Sequence, residues 1–126
     1  MRTIFSLLAV CGLMAAVHGQ QEGAPPVGFI RLVNAVAAGE GNTMIKVDGE
    51  ELYPKGYKLG QRTGGIGLKA GVREIEVRKQ GVEPGATSVN LELGQTTTLV
   101  AFAELEEAEN EDEPPVWKAK VCLLYT

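Results

Sequence analysis

Apolar residues along this chain recur at every second position, the spacing of strands rather than of helices. Phe29 to Val33 is a nearly continuous apolar stretch broken by Arg31, as expected of a strand covered on both faces. Ile45 and Val47 then point inward around Lys46. Asp48-Gly49 follows, a two-residue hairpin signal, because that turn needs positive φ at both positions. Glu50 to Tyr53 is the predicted return, and Tyr53-Pro54-Lys55-Gly56-Tyr57 breaks it into a surface loop. Ile66 and Leu68 form a short strand before a turn at Lys69-Ala70-Gly71. Arg73 to Lys79 alternates cleanly, with Ile75 and Val77 on one face. Gln80 to Ala86 reads as a turn, and Val89, Leu91 and Leu93 mark the next strand. Gly94-Gln95 predicts a second two-residue turn, and the β-branched run Thr96 to Ala103 returns from it. No segment shows a 3.6-residue stripe. About seven or eight short strands at this spacing predict an all-β fold, an antiparallel β-sandwich.

The two ends depart from this rhythm. Glu104 to Glu113 holds seven carboxylates in ten residues and no base, and Pro114-Pro115 ends it. This acidic loop, spanning 104–115, reads as solvated and self-repelling. Calcium takes oxygen ligands, but these carboxylates lack the alternating spacing and turn glycine of a calcium loop. Alternation resumes at 116–125, with Trp117, Ala119, Val121, Leu123 and Tyr125 on one face and Lys118, Lys120 and Cys122 on the other. An apolar face of that size has to dock. Trp117, Val121, Leu123 and Tyr125 therefore mark a docking strand, either on the chain's own sandwich or, in a homodimer, on the edge of a second copy. Cys122, beside two cations, is a candidate reactive thiol. At the other end, Met1-Arg2-Thr3 precedes an apolar run from Ile4 to Val17. With small residues, Val17 and Gly19, at the two positions that signal peptidase reads, residues 1–19 read as a secretory signal peptide cleaved before Gln20. The run is too short to span a bilayer, which takes roughly 20 apolar residues. A polar linker at 20–26 leads into one domain at 27–126.

Composition then narrows the chemistry. The 12 basic and 16 acidic residues give a net charge of −4, and losing Arg2 makes it more negative, which disfavours nucleic acid as a partner. His18, the one histidine, and Cys11 both lie in the signal peptide, so the mature chain has neither an imidazole nor a cysteine pair. Triad chemistry needs that imidazole, and zinc prefers histidine and cysteine, so no catalytic residue, metal site or cofactor is expected. Gly65 to Gly71 has neither the dinucleotide nor the P-loop spacing. Tyr53 and Tyr57, flanking Pro54 and Gly56, are candidate contacts for a glycan, against the ordinary reading of aromatics packed at a turn.

Gly28-Phe29-Ile30-Arg31-Leu32-Val33-Asn34-Ala35, followed by Val47-Asp48-Gly49, resembles a family of bacterial secreted domains of unknown function with an immunoglobulin-like sandwich. The likeness continues through Leu68-Lys69-Ala70-Gly71, Ile75-Glu76-Val77 and Leu93-Gly94-Gln95-Thr96-Thr97-Thr98-Leu99-Val100, so it covers Val27 to Ala103. These residues also resemble the first domain of the periplasmic accessory proteins of alginate O-acetylation, which continue into a second β domain where this chain carries one strand. The likeness is one of strands and turns, and no functional residue carries over. It implies an immunoglobulin-like sandwich, periplasmic or secreted. Its expected function is that of a non-catalytic binding or assembly module of the cell envelope, accessory to exopolysaccharide modification, whose partner is a protein or a glycan. A small glycan-binding module is the alternative.

Overall fold

Backbone hydrogen bonding organises eight strands, with no helix among the described residues: β1 Val27–Ala35, β2 Glu40–Val47, β3 Glu50–Glu51, β4 Ile66–Lys69, β5 Gly71–Gln80, β6 Val82–Leu91, β7 Thr96–Glu106 and β8 Val116–Leu124. A computed structural model describes residues 26–124. The expected signal peptide, linker residues 20–25 and Tyr125 lie outside them.

The all-β class holds. The strands form one mixed sheet in the order β3-β2-β5-β6-β8-β7-β1-β4, curled so that its two halves face each other. Ile45, Val47, Ile75, Val77, Val89 and Leu91 from one half meet Ile30, Leu32, Leu99, Ala101 and Ala119 from the other in a single core. A sandwich of two separate antiparallel sheets is not what the pairing gives. β1–β7 and β6–β8 are parallel, and the latter joins the halves through one residue pair, Glu83↔Lys118. Gly85 permits that join: a methyl there would overlap the carbonyl oxygen of Ala119 on β8.

Several connections differ from their sequence reading. Asp48-Gly49 is the expected hairpin turn, with φ of 50° and 83°, and Asp48 accepts a 2.9 Å hydrogen bond from the Glu74 amide. Its return strand stops at Glu51, however, and a short charged strand makes a poor edge for further pairing. The turn expected over Gln80 to Ala86 contracts to Gln80-Gly81, because Lys79 already pairs with Val82. Pro84 lies inside β6, at a shift of register where a ladder can spare its missing N–H. Near Gly94 the turn centres on Leu93-Gly94, closed by the Gln95 amide on the Glu92 carbonyl. It carries the chain from one half to the other and is not a hairpin, since β6 and β7 are not neighbours. Phe29 and Phe102 lie half-buried outside the core, Phe29 against Gly65 and Gly67.

Candidate functional site

β8 is the most informative strand, because its two faces meet different fates. It pairs with β7 from Thr98↔Leu124 to Glu106↔Val116, so the segment docks on its own sheet. β7 accordingly runs past Ala103 into the acidic stretch. That extension puts Glu104 and Glu106 on the face where Lys118 and Lys120 project. Both amines reach Glu106 at 2.9 Å, while Lys120 also meets Glu104 at 3.4 Å and Lys118 meets Glu83 at 3.8 Å. Hydrogen bonds from Lys118 and then Lys120 hold the Glu106 carboxyl below its ordinary range, and Glu106 in turn raises both amines. Two of the seven acidic residues thus belong to a sheet ladder. Glu107, Glu109, Glu111, Asp112 and Glu113 are exposed, with no ion pair among the described residues. Cys122 shares the lysine face and is exposed, its Sγ 3.7 Å from the Leu123 carbonyl oxygen. The amines expected to activate it are already held by carboxylates.

On the other face, only the middle of β8 is covered. Ala119 is buried and Val121 half-buried, whereas Trp117 is 42% and Leu123 60% exposed. Leu105, directly across from Trp117 on β7, is 48% exposed. The cause is geometric. β6 pairs with β8 at Glu83↔Lys118 and packs on it at Gly85–Ala119, so the opposite half covers the middle of the strand and leaves Trp117 and Leu123 exposed. Beyond Val121 a cleft of about 270 Å³ opens between β6 and β8, reaching Val89 and Leu99. At the Trp117 end a groove of about 440 Å³ lies between Gly81–Pro84 and Pro115–Trp117. It adjoins an acidic hollow containing Glu107, Glu109 and Glu113, and the two share Glu83 and Val116.

Tyr53 and Tyr57 come together but differ in exposure. Tyr57 is 3% exposed and bridges to Thr43 on β2, whereas Tyr53 is 41% exposed. The rings are 5.6 Å apart and tilted by 47°, so they form no flat platform. Burial pushes the Tyr57 phenol above its ordinary value, and the neighbouring Tyr53 adds to this. Only the Tyr53 ring faces solvent, over a groove of about 390 Å³ with Leu52, Gln61, Arg62 and Ile66.

Two contributors escaped the sequence reading. Leu105 was hidden inside a run of carboxylates, although it continues the alternation of Leu99, Ala101 and Ala103. The apolar groove at Pro84 and Pro115 joins residues far apart in the chain. Among the described residues, no group of three His, Cys, Asp or Glu side chains is placed to hold a metal ion. None forms a helix long and apolar enough to cross a membrane. A scan of protein-family models and a search of curated proteins give no match to this chain.

Proposed function

We propose that the chain is a non-catalytic binding or assembly module, exported to the periplasm or beyond and acting in the cell envelope. The observation that carries this reading is the apolar ridge of Leu105, Trp117 and Leu123 on the β7–β8 pair. Trp117 and Leu123 are six residues apart on one strand, about 20 Å at 3.4 Å per residue. Apolar side chains left in water at both ends of a strand whose middle is covered mark an interaction face. Covering each of these half-exposed side chains contributes on the order of 1 kcal/mol, so they anchor an interface whose remaining contacts must offset the cost of association. Its resemblance to secreted immunoglobulin-like domains and to the alginate accessory proteins supports an envelope setting and a role beside exopolysaccharide modification.

The test is co-isolation of the tagged chain from the envelope of an exporting host, beside a variant carrying Leu105→Ser and Leu123→Ser. The reading expects a partner recovered with the wild type and lost from the variant, while the two melt within a few degrees of each other. Identical recovery from both contradicts it.

A second reading, a small glycan-binding module, is favoured only by the Tyr53 ring with Gln61 and Arg62 beside it. Titration with alginate oligosaccharides would support it if binding disappeared in Tyr53→Ala and remained in the ridge variant.

A further inference from the structure

We infer that the Trp117 groove docks an extended cationic segment of a partner protein, with an apolar or aromatic side chain against Trp117 and lysine or arginine side chains along Glu107 to Glu113. This rests on the binding-module reading and names the kind of partner. Val82, Pro84, Pro115, Val116 and Trp117 form the groove, with Glu83 the one charged residue. The exposed rings of Pro84 and Pro115 offer apolar surface, and the half-exposed Trp117 ring adds a π face that attracts cations. Leu105, paired across from Trp117, extends the apolar surface along β7.

Charge decides which segment fits. The adjoining hollow contains Glu107, Glu109 and Glu113, and Glu111 and Asp112 lie in the same exposed connection. The nearest cations are already committed: Lys118 to Glu106 and Glu83, Lys120 to Glu106 and Glu104. The surface beside the groove therefore carries uncompensated negative charge, which a basic segment relieves and an anionic polymer increases. At physiological salt the Debye length is about 8 Å, so the carboxylates select a segment already seated against Trp117.

Trp117 is the only tryptophan in the chain, so its fluorescence reports occupancy directly. The full exported chain is titrated with three hexapeptides: alternating lysine-phenylalanine, alternating lysine-serine and alternating glutamate-phenylalanine. The lysine-phenylalanine peptide is expected to bind at least about ten-fold more tightly than the other two. Changing Glu109, Glu111 and Glu113 together to glutamine should weaken it by about ten-fold without moving the melting temperature, since all three are exposed and outside the ladder. Trp117→Ser, followed by anisotropy of a labelled peptide, should lose a similar factor. Equal binding of the lysine-serine peptide would reduce the site to bare charge and overturn the inference. Unchanged binding by the glutamine variant, or an alginate oligosaccharide perturbing Trp117 more strongly than the basic peptide, would overturn it as well. A co-isolated partner that depends on the ridge but contacts it through an acidic or uncharged segment overturns this inference alone. The binding-module reading then stands.

Discussion

Asn34 ends the buried face of β1, and its carboxamide fastens two connections that the strand alone could not hold. Its Nδ2 donates to the Tyr57 carbonyl at 3.0 Å, and its Oδ1 accepts from the Val36 amide at 3.0 Å. Its own backbone donates to Gln61 and accepts from Gly60. The loop after β3 is thereby drawn over the gap between the two halves, with Tyr57 as its plug. Asn34→Ala would leave the buried Val36 N–H without a partner and open a small cavity, costing about 2–3 kcal/mol. Urea unfolding checks this, and a change below 0.5 kcal/mol, the size of an ordinary surface substitution, would contradict it. The sequence does not disclose this role. A polar residue after Val33 reads as a strand end, and nothing local marks its partners at Tyr57 and Val36. Tyr57 was half legible: aromatics beside a proline and a glycine ordinarily pack at their turn, but only the path of the loop decides that Tyr57 is buried and Tyr53 is not.

At the scale of elements, alternation located most strands because an inward residue every second position is what a sheet with one buried face requires. Strand ends were less legible, since pairing, not polarity, sets them. β7 continues to Glu106 because Lys118 and Lys120 on β8 neutralise the carboxylates that made the segment look like a loop. This ladder predicts a pH response. Glu106 is shifted below 4.5, so its contribution is complete above that value and is lost as pH falls through the lower folded value. Lys118 and Lys120 are shifted above 10.5, so theirs is present below that value and is lost as pH rises through the higher folded values. Between these limits the ladder adds no pH dependence. Melting temperatures followed from pH 7 down to about pH 3 should fall more steeply in the wild type than in Glu106→Gln, modestly because the groups are exposed. Parallel profiles would show that the ladder is inert.

Across the whole molecule, the sequence carried the class of fold but not its closure. Local alternation cannot specify that β6 and β8, separated by β7 and the acidic connection, lie side by side in parallel. Gly85 makes that contact sterically possible, yet in the sequence it looks like one more turn glycine beside Pro84. The same closure leaves Trp117 and Leu123 uncovered, so a strand whose apolar face was expected to be wholly buried becomes buried at its centre and open at both ends. On this account the open ends are an interaction surface of an envelope protein. The direct test places a photo-crosslinking side chain at position 105, beside Trp117, and separately at the exposed Lys58 and Gln95, in cells exporting the protein. The account predicts one dominant adduct of discrete mass from position 105 and none of that mass from positions 58 or 95. The same adducts at similar yield from all three positions, or none from position 105, would contradict it.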